Sequence, residues 1–226
     1  MRRATYPHEV DGTAVGPGAR AERRDRATAD TRTRILAAAR DCLLEDGYAS
    51  LSTRHVADSA GVPLSQIHYH FGSKLQLILA VFAAETERLL DRQRAMFDAP
   101  EPLWVRWELA CDFLDTDVAS GYVRILQEMI AAGWSDAEVA ASVRETVGGW
   151  YRLLADVARR EEERGVDLGG FTPDEVAALM GTPFLGAEEL ILLGVTEDTL
   201  PMRSALRKVG VLLRRISETG PQPAGS

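Results

Sequence analysis

The sequence predicts an all-α protein in which three short N-terminal helices are joined by a long fourth helix to a C-terminal helical bundle. Apolar side chains recur at three- and four-residue spacing through most of the chain, and no segment shows the period-two alternation of a half-buried strand. Glycines and prolines, among them Gly47, Gly61, Gly72, Pro100, Pro102 and Gly194, divide these runs into pieces of helical length.

The elements follow in order. Residues 1–30 hold Gly12, Gly16, Pro17, Gly18 and a mixed-charge stretch over 20–26 with almost no large apolar side chain, which reads as a disordered arm. A helical run starts at Thr31, sets Ile35, Ala38, Ala39, Cys42 and Leu43 on one face and stops at Gly47. Ser52 offers an N-cap for a helix over 53–59, whose Val56, Ala57 and Ala60 point inward and which Gly61 ends. A third helix spans 64–70. Gly72 and Ser73 then break the chain and cap a fourth over 74–97. Past the turn at 99–102, helices are expected over 103–116, 119–133, 136–164, 173–193 and 199–217. Pro173 suits a first-turn position, Asp174 and Glu175 place acids at the positive helix end, and Pro183 is expected to kink its helix. The division is an arm over 1–30, a module over 31–80, a body over 81–217 and a flexible tail over 218–226.

With 46% hydrophobic and 27% charged residues the composition is that of a soluble globular protein, and no window reaches the apolar length of a membrane span. Met1-Arg2-Arg3 is followed by Pro7, His8, Glu9 and Asp11 where an export signal would carry its apolar core, so a cytoplasmic protein is expected. The two cysteines, Cys42 and Cys111, fit a reducing compartment. The net charge of −8 is unevenly spread: residues 1–80 carry eleven Lys and Arg against nine Asp and Glu, so the acidity lies in the remainder. Such a split is expected where only the N-terminal part meets nucleic acid.

Residues 47–82 carry the function. Two short helices joined by a tight turn at Gly61 form a helix-turn-helix, which lays its second helix in a major groove while the first braces it. Ala57 and Gly61 are small at the crossing point, and Val56, Val62 and Ile67 fill the shared core. Ser65, Gln66, His68 and Tyr69 are left on the exposed side of the third helix, all able to hydrogen-bond to bases or phosphates. Tyr69 or His70 alone reads as an ordinary half-buried aromatic; the ordered set points to double-stranded DNA.

From Thr31 to Phe82 the chain resembles the tetracycline-repressor (TetR) family. The resemblance is carried by Gly47-Tyr48, Ser52-Thr53, Val56-Ala57, Ala60-Gly61-Val62, Ile67, Tyr69-His70-Phe71 and Ser73-Lys74. The chain departs from the family at His68, where Tyr is usual, and at Pro63-Leu64, where a Ser and a polar residue are common. The resemblance implies a transcription regulator, a repressor rather than an activator, that binds a palindromic operator as a homodimer. A small-molecule effector bound in the C-terminal domain would release it by tilting the fourth helix, since the two reading helices must stand about 35 Å apart to meet successive major grooves. By position, the resemblance implies that Thr53 and Arg54 approach the phosphate backbone and that Tyr69 and His70 bind phosphate. Leu64, Ser65, Gln66 and His68 would line the major groove, Gln66 pairing with adenine and Leu64 touching a thymine methyl. Lys74, at the start of the fourth helix, would hold a phosphate.

The last two helices carry more apolar side chains than one bundle face needs, including Leu179, Met180, Leu193, Leu200, Val209 and Leu212, and are assigned to dimerisation, with self-contained packing as the alternative. Trp104, Trp107, Phe113, Tyr122, Met129, Trp150, Tyr151 and Phe184 are the candidates to line an effector pocket, although aromatics at helical spacing are core by default. Glu108, Asp112 and Glu128 would orient a cationic ligand if buried, a solvated face being their ordinary place. An enzyme is not expected: G-x-S-x-G, Walker and H-E-x-x-H motifs are missing, and all four histidines lie within residues 1–70. His68 and His70, two apart on a helix, point to different sides, so no metal or other cofactor is expected. A pure protein-binding scaffold fits poorly with so polar a third helix.

Overall fold

The protein, described by a computed structural model over residues 17–219, contains nine helices and no strand among those residues. They are α1 (Pro17–Ser50), α2 (Thr53–Ala60), α3 (Leu64–Phe71), α4 (Lys74–Phe97), α5 (Leu103–Ser120), α6 (Tyr122–Gly133), α7 (Ala137–Glu163), α8 (Pro173–Leu192) and α9 (Met202–Thr219).

Three boundaries differ from expectation. First, α1 is helical from Pro17, well before Thr31. Residues 19–29 have no apolar face, but they are rich in Ala and Arg, strong helix formers that extend a helix already anchored by Ile35 and Ala39. The rest of the expected arm, residues 1–16, and the tail from residue 220 lie outside the described residues. The backbone leaves the helical region at Gly47 (φ 76°, ψ 170°), where the sequence predicts the stop.

Second, the break between α5 and α6 falls at Gly121 rather than at 117–118. Gly121 is left-handed (φ 85°), and a Cβ there would stand 2.8 Å from both methyls of Leu44 on α1. Hydrogen is what lets the chain turn and α1 approach. Third, α9 begins after Pro201, which lacks an N–H for a preceding turn. The Glu197 carboxylate accepts from the N–H groups of Arg203 (2.9 Å) and Ser204 (3.3 Å), capping the start of α9 from the loop. Pro173 takes the first turn of α8 as anticipated; Thr172 and Glu175 add a reciprocal capping box, and the helix runs on through Pro183 to Leu192.

Packing positions the site. Ile35, Leu43, Val56, Ile67, Leu77 and Phe82 form a core of α1–α4 that continues without interruption into Val123, Ile125 and Met129 of α6 and Val139 of α7. Residue 80 is therefore no packing boundary. Trp107, Leu114, Phe184 and Leu206 close a second core between α5, α8 and α9, and Leu90, Met96 and Phe97 of α4 join Leu153 and Val157 of α7 in a third. The C-terminal end of α4 is also tied ionically. Arg106, 3% exposed, donates to the Phe97 carbonyl and to Glu161 Oε1, both at 2.6 Å. A buried pair of this kind fixes geometry more than it adds net stability.

Gly121→Ala combines left-handed strain with overlap against Leu44 and is expected to cost about 2 kcal/mol or more. Urea unfolding followed by far-UV circular dichroism checks this, and an unchanged midpoint would contradict the packing described for α1 against the α5–α6 turn.

Candidate nucleic-acid interface and interior cavity

At the α2–α3 turn Gly61 is left-handed (φ 62°), and its N–H and that of Val62 return to the carbonyls of Asp58 (3.1 Å) and Ala57 (3.0 Å). α1 braces the same turn: Arg34 Nη2 donates to the carbonyls of Ala60 (2.7 Å) and Gly61 (3.2 Å). Val56, Ala57 and Ile67 are buried and Val62 packs against them. With Ile67 and Phe71 turned inward, the helical repeat leaves Ser65, His68 and Tyr69 exposed, Tyr69 at 71%. Leu64 and Gln66 lie half-buried at the rim of this face. Arg54 is exposed and Thr53 half-buried in the first turn of α2, where Ser52 takes the N-cap position without a side-chain bond.

Three expected contact residues also meet protein neighbours. Lys74 Nζ donates to the Ala49 carbonyl at 3.0 Å, which leaves two of its protons for another acceptor. His70 is half-buried, its Nε2 enclosed without a partner and its ring edge-on to Tyr69. His68 Nδ1 lies 3.2 Å from the Gly72 carbonyl. Arg32 and Arg34 of α1, unexpected from the sequence, also stand at this face. Arg32 lies over the Phe71 ring, 5.3 Å from its centroid, which sets a cation beside α3. Only the apolar face of α1 was legible as periodicity, and these arginines lie off it.

Between α4, α5, α6, α7 and α8 lies a cavity of ≈ 50 Å³. Four of the eight expected residues line it: Trp107, Tyr122, Trp150 and Phe184. The others do not. Met129 is fully buried in the first core, Phe113 lies under Arg92 (4.7 Å) and Trp104 under Arg214 (5.0 Å), while the Tyr151 hydroxyl pairs with Thr182 (2.9 Å). Nor do the three acids considered from the sequence face it. Glu108 is exposed, Asp112 pairs with Arg207 (2.5 Å), and Glu128 accepts the Tyr48 N–H at 3.1 Å. The acids at the cavity are Asp117 and Glu188. Both could have been found: Asp117 follows Leu114 by three positions and Glu188 follows Phe184 by four, so the repeat that buries those apolar residues carries the carboxylates inward too.

Burial pushes the Glu188 carboxyl up to about 8, and the Asp117 charge adds to the rise. Burial also raises Asp117, against the opposing pull of its ion pair with Arg92. Tyr122 is pushed up to about 12, again by burial.

Residues 35–81, spanning the end of α1, the two short helices and the first turns of α4, match the family of bacterial regulatory proteins called tetR. The chain carries a TetR-family DNA-binding module. It is thereby a DNA-binding transcription regulator and not an enzyme. The chain is 29% identical over 135 residues to the transcriptional regulator UidR of Escherichia coli K12, a match covering 60% of the chain and 68% of UidR. Its fold matches a transcriptional regulator from Saccharomonospora viridis solved with choline, at a TM-score of 0.67 and 20% identity over 80% of this chain and 95% of that one. It also matches FadR from Bacillus subtilis, solved with stearoyl-CoA, at a TM-score of 0.66 and 15% identity over 80% and 96%. Among the described residues no helix is long and apolar enough to cross a membrane.

Glu188 supplies a pH test of the cavity. A carboxyl raised in the folded state binds more protons than in the unfolded chain between its unfolded value near 4.5 and its folded value near 8, so its contribution to stability falls as pH rises through that window. Glu188→Gln, which mimics the neutral acid, is expected to match wild type near pH 4.5 and to exceed it by a few kcal/mol at pH 8. Denaturant unfolding at the two pH values checks this, and parallel stability curves would contradict the burial of Glu188.

Proposed function

We propose that this TetR-family regulator is a cytoplasmic repressor that binds a palindromic operator as a homodimer and is released by a small molecule entering the cavity beside α4. The observation that carries the reading is the outer face of α3. Ser65, His68 and Tyr69 stand exposed on a helix whose other face is locked by Ile67 and Phe71. A short helix held this rigidly, with hydrogen-bonding side chains outward, suits a major groove. Leu64, Ser65, Gln66 and His68 then read bases. Thr53, Arg54, Tyr69 and the free protons of Lys74 meet phosphates, and His70 reaches one only by turning its ring outward. Repression is favoured because occluding a promoter requires binding alone.

Dimerisation is supported by an apolar surface on α8 and α9. Leu179 of α8, Leu193 and Leu200 of the segment between the helices, and Leu212 of α9 are exposed, and a groove of ≈ 480 Å³ runs between the two helices past Met180, Leu190 and Val209. Exposed patches of this kind mark an interface. Phe184 of α8 and Met202 and Leu206 of α9 are instead spent on the internal core. Effector binding is supported by the cavity itself, and proteins of similar fold were solved with ligands as unlike as choline and stearoyl-CoA.

Duplexes selected from a random pool on the full-length protein test the reading. The expected outcome is a palindrome with half-sites about one helical turn apart, bound by a protein of dimeric mass, with affinity falling steeply with salt. The Arg54→Ala, Tyr69→Ala double variant alters only solvent-exposed side chains and is expected to lose about tenfold or more in affinity at ~0.1 M salt. No selected sequence, or equal binding by the double variant, would overturn the proposal.

A further inference from the structure

The cavity has a chemistry of its own. Among the residues lining it there is no Lys, Arg or His, yet two carboxylates reach it from different helices, Asp117 from α5 and Glu188 from α8. Asp117 is ion-paired with Arg92, whereas no salt bridge reaches Glu188 among the described residues. A further polar group stands at the same place: Thr86, 7% exposed, lines the cavity with the Tyr122 hydroxyl beside its own.

The remaining wall is aromatic. The indole N–H of Trp107 donates to the Leu206 carbonyl (2.7 Å) and that of Trp150 to Gln93 Oε1 (2.6 Å), so what these rings offer an occupant is π surface. Phe184 meets Trp107 edge-on, with centroids 5.2 Å apart. Aromatic surface next to an ion-paired carboxylate and a second acid without a counter-charge favours a cation with apolar substituents, whose binding lets that acid ionise. The space of ≈ 50 Å³ admits a few waters as it stands, so a larger molecule enters by displacing flexible side chains such as Met180.

We propose that the effector is a hydrophobic organic cation, an amine or quaternary ammonium, whose charge is met by Glu188 and Asp117 and whose apolar groups lie against Trp107, Trp150 and Phe184. This rests on the reading of the cavity as the effector site. A cation is favoured over neutral and anionic ligands, because it alone stabilises the ionised form of Glu188, which the other two leave protonated. The titratable groups facing Glu188 are Asp117 of α5, with Arg92 of α4 behind it, and Tyr122 of α6. None is an empty-state counter-charge to Glu188, so cation binding at neutral pH is accompanied by release of its proton.

Titration calorimetry of full-length protein at pH 7 with three probes of one chain length, decyltrimethylammonium, decanol and decanoate, each below its micellar concentration, tests the proposal. Glu188→Gln serves as the control variant, because the amide keeps the shape of the protonated acid and the fold is retained. The ammonium is expected to bind about tenfold or more tightly than the alcohol, with proton release visible as a buffer-dependent heat, and decanoate not to bind. Glu188→Gln is expected to lose about tenfold for the ammonium and nothing for the alcohol. Alcohol or carboxylate binding as tightly as the ammonium, or an unchanged ammonium affinity in Glu188→Gln, would overturn the cation assignment and leave the effector cavity standing. Failure of all three probes to bind would overturn both.

Discussion

One helix serves two masters. α4 spans 24 residues, about 36 Å at the standard rise. Its first turns, through Leu77, Ile78, Val81 and Phe82, are sealed into the core that holds α3 in place. Its later turns supply Thr86, Leu89, Leu90, Gln93 and Phe97 to the wall of the cavity. Among its backbone bonds there is no interruption at which the two ends could move independently. In the proposed mechanism a side chain pushed at Leu90 moves a packed rod whose other end holds α3, since close-packed interiors transmit such shifts rather than absorb them.

The head is fastened to the body by directional polar contacts as well. Arg40 of α1 reaches Glu85 of α4 at 3.2 Å and also bonds the Ser120 carbonyl at the end of α5, while Glu128 of α6 accepts the Tyr48 N–H just past the break at Gly47. Gln76 near the start of α4 donates to Glu138 at the start of α7 at 2.5 Å. Each is modest alone, and each is sensitive to a small displacement, because hydrogen bonds weaken steeply once their geometry is lost. They give the junction a defined arrangement that a tilt of α4 would exchange for another. The acidity of the body acts in the same direction by keeping polyanionic DNA on the head.

Much of this was legible in the sequence. The short helices around Gly61, the cap at Ser73, Pro173 in the first turn of α8 and the inward face of Val56, Ala57 and Ile67 follow from local rules that tertiary contacts did not overrule. What was illegible has a common cause. The extension of α1 to Pro17 depends on propensity without an apolar face, the Gly121 break depends on the approach of Leu44 from far away in sequence, and the Lys74 contact with Ala49 depends on how two elements meet. The cavity shows the same pattern in reverse: of the aromatic and Met candidates, Trp107, Tyr122, Trp150 and Phe184 line it, whereas Met129 and Tyr151 look the same in composition and lie elsewhere. Asp117 and Glu188 were passed over because acids are presumed solvated, although their helical register with Leu114 and Phe184 placed them inside.

The central claim, that α4 couples the cavity to the DNA-reading helix, is tested most directly without any effector by filling the cavity from the opposite wall. Ala110 of α5 lines it, so Ala110→Trp places an indole where a ligand would lie. The measurement is the dissociation constant of the full-length variant for the selected duplex, by fluorescence anisotropy, alongside its helix content and melting temperature. The account predicts a folded protein whose DNA affinity has fallen by about tenfold or more. A folded variant that binds the duplex as tightly as wild type would contradict it.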